Sequence, residues 1–212
     1  MLTFYDISGA GLVRRDGATE IGPFTVWIDL KDPTPDEDKA MEAALGISIP
    51  TRAEMREIEP SNRLYQENGS TYMTTYVVYN IDQERPDSGA FTFIIAGNKL
   101  VTVRYHEPKS LPQFVARAAK GDISCASPAA IAIGLIESIV AREADLVERV
   151  QDEVDAIALR IFQGRNHQKT RQKRLDLLLG QIGRQGDITS RVEEASVSMG
   201  RMLTYFSTSA RQ

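Results

Sequence analysis

IPTRAEMREIEPSNRLYQENGSTYMTTY, residues 49–76, orders a capped helical turn, a proline stop and a tight hairpin within 28 residues. The Thr51 hydroxyl is placed to accept from the Glu54 backbone N–H while the Glu54 carboxylate reaches back, the reciprocal arrangement of a capping box. Pro60 has no N–H to continue that helix. Asn68-Gly69 is the dipeptide that a two-residue hairpin turn demands, because both of its central residues take φ > 0.

Outward from this stretch the first half of the chain alternates strand and helix signals. Leu2 to Ile7 and Gly11 to Arg15 flank a turn at Gly9-Ala10, and Phe24 to Leu30 is a strand-rich run that carries the only tryptophan, Trp27. Thr34-Pro35-Asp36-Glu37 reads as a second capping box with proline at the first helical position, and Gly46 closes that helix. Arg63 to Glu67 pairs with Thr71 to Tyr79 around Asn68-Gly69, and Phe91 to Ile95 pairs with Leu100 to Tyr105 around Gly97-Asn98. With a short helix opened at Ser110 and closed by Gly121, residues 1–126 predict an α/β (α+β) domain with a mixed seven-stranded sheet covered by helices.

The character changes at Ser127-Pro128, and residues 127–212 read as wholly helical. Val147, Val150, Val154, Ile157 and Ile161 form a heptad-type seam, and Gly164 is a stop. Leu175, Leu178, Leu179 and Ile182 predict a shorter antiparallel return. A long last helix is then expected from near Asp187, with Ile188, Val192, Ala195, Met199, Met202 and Phe206 on one stripe. Four apolar heptad steps after a sheet domain predict that Met199 and Phe206 meet other helices, in other subunits, rather than their own sheet. No stop follows Gly200, which leads us to expect that the native chain continues past Gln212.

Bulk composition removes several function classes. The 212 residues are 42% apolar, enough for a substantial core, and the formal net charge of −4 argues against a nucleic-acid-binding protein. Cys125 is the sole cysteine, so neither an intrachain disulfide nor a cysteine metal cage is available. No secretory leader is legible after Met1. The longest apolar run, Pro128 to Ile136, is less than half of the roughly 20 residues a membrane span needs. Cys125, His106 and His167 stand apart at no ligand spacing. Gly9-Ala10-Gly11 lacks the third glycine and following helix of a dinucleotide site. The basic residues between 156 and 175 read as a solvated helical corner, as a nucleic-acid patch that lacks stacking aromatics other than Phe162, or, near anionic lipid, as a headgroup contact. Glu137, Glu143, Asp145, Glu148, Asp152, Glu153 and Asp155 make one helix strongly acidic, either as a solvated face or as oxygen ligands for a hard divalent cation.

The order Ile49-Pro50-Thr51-Arg52, Glu57-Ile58-Glu59, Ser61-Asn62-Arg63-Leu64-Tyr65 and Thr71-Tyr72-Met73-Thr74 resembles the N-terminal cytosolic domain of the CorA family of magnesium, cobalt and zinc transporters. Ala144-Asp145-Leu146-Val147-Glu148, Asp152-Glu153-Val154-Asp155 and Ile182-Gly183-Arg184-Gln185-Gly186-Asp187 extend that resemblance through the tail. The resemblance implies a non-enzymatic domain at the cytoplasmic face of the membrane. It would sense a divalent cation (magnesium, cobalt, nickel or zinc) and gate a homopentameric pore whose membrane segments lie outside this chain. No other cofactor and no nucleic-acid partner is implied. It places a regulatory metal at Glu57 and Glu59, and makes Glu148, Asp152 and Asp155 candidates for holding cations along the acidic helix. The family's Gly-Met-Asn pore signature is absent from these residues. A soluble α/β enzyme with a helical oligomerisation tail is the alternative, and it lacks an assembled catalytic motif.

Overall fold

The computed structural model describes residues 1–9, 11–57, 59–83, 85–163 and 171–209. Seven strands form one sheet: β1 (Leu2–Ser8), β2 (Gly11–Arg15), β3 (Thr25–Lys31), β4 (Leu64–Glu67), β5 (Ser70–Tyr79), β6 (Asp87–Ala96) and β7 (Lys99–Arg104). Their order is β2-β1-β3-β7-β6-β5-β4, and β3–β7 is the parallel pair amid antiparallel neighbours. The predicted turns form: Asn68 and Gly69 take φ of 50° and 77° between β4 and β5. Gly11, paired with Ser8 at the β1–β2 turn, lets helix α2 (Ser110–Ala119) approach, since a Cβ there would lie 2.8 Å from the Ala118 carbonyl oxygen.

Successive side chains of a strand point to opposite faces, and here both faces are covered. Tyr5, Trp27, Met73, Phe93 and Leu100 bury themselves on one side, where α2 (Ser110–Ala119) and two long helices, α3 (Pro128–Gln163) and α4 (Arg171–Ser209), pack. Phe4, Ile28, Tyr72, Ile94 and Val101 bury themselves on the other, under Met41 of α1 (Pro35–Leu45) and the segment bearing Ile47, Ile49 and Met55. The Trp27 ring stacks on Tyr5 at 4.1 Å between centroids and meets Phe114 edge-on at 5.7 Å. Thr34 caps α1 with the complete reciprocal box, and Gly46 ends it at φ 66°. The Thr51 box also forms, with Thr51 N–H donating to Glu54 Oε2 at 2.7 Å, but it starts only a single 3₁₀ turn, Glu54–Arg56. Glu57 already turns extended there, at ψ 143°.

Two expectations for the tail are corrected. The return and the last helix are one continuous helix, α4, which runs through Gly183 and Gly186 without a break. Each glycine costs an exposed helix only about 1 kcal/mol, and the packing of Ile188, Val192, Ala195, Met199 and Met202 carries the helix past them. Met199 and Phe206 do not face away from the domain: Met199 and Met202 are buried in the sheet-facing core, and Phe206 packs against it. The Gly164 stop and the basic residues Arg165 and Lys169 lie outside the described residues. A Cβ at Gly183 or Gly186 would meet nothing within 4 Å. Gly183→Ala and Gly186→Ala should therefore each stabilise by about 0.5–1 kcal/mol in urea denaturation; destabilisation by either would argue for a break in α4.

Candidate cation-binding surface

Glu57 follows the 3₁₀ turn directly, which places it with Ala53, Arg56, Glu59 and Asn62 around a shallow depression. Its carboxylate is engaged within its own loop, accepting from the Asn62 side-chain amide, and its carbonyl accepts from Arg63 Nε. The predicted pair Glu57/Glu59 is thus brought to one surface depression, with Arg56 beside it.

The other predicted acids lie on α3. Residues 148, 152 and 155 share one helical face, because side chains four and seven apart nearly eclipse on a 3.6-residue turn. Glu148, Asp152 and Asp155 are all exposed. Of the four remaining acids of that helix, Glu137 is exposed and three do other things. Asp145 pairs with Arg142 at 3.3 Å. Glu153 accepts from Gln185 of α4, holding the two helices together. Glu143 is buried at 5% exposure, and burial raises its pKa to about 7 against the pull of the Val78 amide. Sequence reading grouped Glu143 with the solvated acids and missed it. A signal was available: it stands seven residues after Ile136 and seven before Val150, on the row that ends at Ile157 and faces inward.

Among the described residues no group of three or more His, Cys, Asp or Glu is placed to hold a metal ion. The loop pair and the helical trio are separate surfaces, and neither forms a closed cage within one copy of the chain. Hard divalent cations tolerate such sites by keeping several waters.

The soft and imidazole groups are built into the core. Burial pushes the Cys125 thiol up, and its Sγ lies 3.5 Å from the Ile123 carbonyl oxygen. His106 stacks on Tyr79 at 4.7 Å, donates Nε2–H to the Ala90 carbonyl at 3.1 Å, and has its pKa lowered by burial. His167 lies outside the described residues. None of the described helices is long and apolar enough to cross a membrane.

Comparison with known proteins agrees with this architecture. The chain is 22% identical over 207 residues to the magnesium transport protein CorA of Pasteurella multocida, covering 97% of this chain and 64% of that protein. It is 24% identical over 166 residues to the Escherichia coli K12 protein of the same name, covering 77% of this chain and 52% of that protein. It therefore spans about half to two thirds of the length of these relatives. The soluble domain of CorA from Methanocaldococcus jannaschii superposes with a TM-score of 0.62 at 12% identity, over 97% of each chain. The cytoplasmic domain of ZntB from Vibrio parahaemolyticus superposes at 0.55 and 12% identity, over 97% of this chain and 95% of that one. At such identities the structural likeness speaks for the fold alone. The family model for CorA-like Mg2+ transporter proteins matches residues 25–179, nearly three quarters of the sequence, and the chain belongs to that family.

Proposed function

We propose that this chain is the cytosolic, non-catalytic regulatory domain of a CorA-like divalent-cation transporter, in which residues 1–126 form the sheet unit and residues 127–212 the helical unit. It senses magnesium or a similar ion, cobalt, nickel or zinc, and biases a pore carried by other segments of the protein. The observation that carries the reading is the exposed trio Glu148, Asp152 and Asp155 on the long helix of a family member, with oxygen ligands and no imidazole or thiol. A cation bridging acids of neighbouring copies favours the arrangement that brings those acids together. Its loss leaves like charges facing one another.

Self-assembly, to five copies as the family resemblance implies, is part of this proposal. Ile133, Val140, Val147, Val154 and Ile161 of α3 stand seven residues apart and are all exposed. That row is apolar surface the domain itself leaves uncovered.

Calorimetric titration with MgCl2 at constant ionic strength tests the reading. The wild-type chain is expected to give a saturating, millimolar-range isotherm. Glu148→Gln/Asp152→Asn/Asp155→Asn should abolish saturation, and Glu57→Ala should weaken binding several-fold. Equal, non-saturating heats for all three proteins would reduce the acids to a solvated face.

A further inference from the structure

The outer edge of the sheet is closed partly by side chains of the long helices. β4 covers only the first part of β5: its register runs from Leu64 opposite Met73 to Glu67 opposite Ser70. From Thr74 to Tyr79, no strand among the described residues pairs with the outer side of β5. An unpaired edge is a row of unsatisfied amides and a template for unwanted pairing. Here three successive outward amides are taken one by one. Thr74 N–H donates to the Arg63 carbonyl at 2.8 Å. Tyr76 N–H donates to Ser198 Oγ of α4 at 3.2 Å, and the Thr75 hydroxyl lies 3.1 Å from the same oxygen. Val78 N–H donates to Glu143 Oε1 of α3 at 3.3 Å. The helical hairpin therefore docks on the sheet edge through two side-chain caps.

We propose that Glu143 is a proton-operated latch that sets how firmly the α3–α4 hairpin holds the free edge of β5. The carboxyl lies at the seam where Val78 and Ile81 meet Leu146 of α3 and Val192 and Ala195 of α4. The charged groups of the surrounding elements are committed elsewhere. Arg142 of α3 pairs with Asp82 at 2.8 Å and with Asp145, and Arg149 and Lys109 also pair with Asp82. Arg191 of α4 pairs with Asp87, which also accepts from the Tyr79 hydroxyl of β5. Arg63 stacks on the Tyr76 ring, His106 stacks on Tyr79, and Glu193 and Glu194 of α4 are exposed. None of these neutralises Glu143. Among the described residues its ionised form is a buried charge without a counter-ion, which is relieved by lifting the hairpin and admitting water.

The direction follows from linkage. An opened seam returns the carboxyl toward its ordinary value of 4.5, whereas the closed seam holds it near 7. The closed form therefore binds the proton more tightly, and closure is strongest below the open-state value and weakens as pH rises to about 7. Above that it is level. The latch stands on the geometry of the seam and is independent of whether the domain senses cations.

Amide hydrogen exchange of the ¹⁵N-labelled chain between pH 5 and 8.5, corrected for intrinsic rates, tests it. Protection of Val78 and Tyr76 should fall about tenfold per pH unit between about pH 5 and 7 and then level off. The amides of Ile94 and Val101 in the central sheet should keep theirs. In Glu143→Gln, which retains an acceptor and cannot ionise, protection should be high and flat across the range. A flat wild-type curve, an equal slope in Glu143→Gln, or a parallel fall at Ile94 and Val101 would each overturn the latch. The wild-type curve and the central-sheet reference decide the matter even if the variant does not fold.

Discussion

Replacing Arg104 with methionine is expected to destabilise this domain by about 3–5 kcal/mol, the cost of leaving one partner of a buried ion pair alone. Asp29 and Arg104 are 2% and 3% exposed, and their side chains meet at 2.8 Å across the parallel pair β3–β7. The guanidinium also donates to the His106 carbonyl at 2.7 Å and pairs with Glu107 at 3.1 Å. The carboxylate in turn accepts from Thr102 Oγ1 at 2.7 Å, and that hydroxyl accepts from Trp27 Nε1 at 2.9 Å. One chain of bonds thus links the core tryptophan to the end of β7. Methionine fills the space of the stem but strands the Asp29 charge. For a domain of this size the change corresponds to a fall of roughly 6–20 °C in melting temperature. The double variant Asp29→Asn/Arg104→Gln removes both charges and should recover part of the loss. A loss below about 1 kcal/mol for Arg104→Met in urea denaturation would show that the pair carries little.

Met199→Glu is the second large effect, and it acts on the fold before any assembly. Met199 is 3% exposed, inside the core that Trp27 and Phe91 share with α3. A carboxylate there has no cation to meet, so a loss of more than about 3 kcal/mol is expected even in a single isolated copy. Leu203→Glu, one turn later at 40% exposure, should change stability by less than about 0.5 kcal/mol. Thermal denaturation of both variants at low protein concentration distinguishes the cases. If Met199→Glu melts like the wild type, α4 does not seat on the sheet as described.

Most of the sheet was legible because its signals are local. Thr34 and Glu37, Asn68 and Gly69, and Gly97 before β7 act over two to four residues, so their reading does not depend on what packs against them. The strand-rich runs of β3, β6 and β7 were legible too, because strands buried on both faces read as near-continuous apolar and β-branched stretches. The tail was less legible. A stripe at Ile188, Val192, Ala195, Met199 and Met202 has helical period whatever covers it, and here the cover is largely β5 and β6 rather than a foreign helix. Gly183 and Gly186 looked like a break because a glycine's local preference was weighed without the tertiary packing that overrides it.

The acids divide along the same line. Glu57, Glu59, Glu148, Asp152 and Asp155 could be chosen from sequence as oxygen donors, since residue type alone sets that chemistry. What could not be read was which acid of α3 faces inward. Glu143 and Glu148 are the same residue five positions apart on one helix. One is buried against Val78 of β5 and the other is exposed. A helix's sequence determines which residues share a face, because 3.6 residues make a turn. Which face is dry depends on where a strand 65 residues away ends, and that is decided only when the chain closes on itself. The capping boxes, the turns and the change from sheet to helix at Ser127 were determined by the sequence by itself, through short-range sterics and hydrogen bonding. The Asp29–Arg104 pair, the buried Met199 and the capped edge of β5 were decided by the tertiary structure, because burial sums over residues that no local window contains.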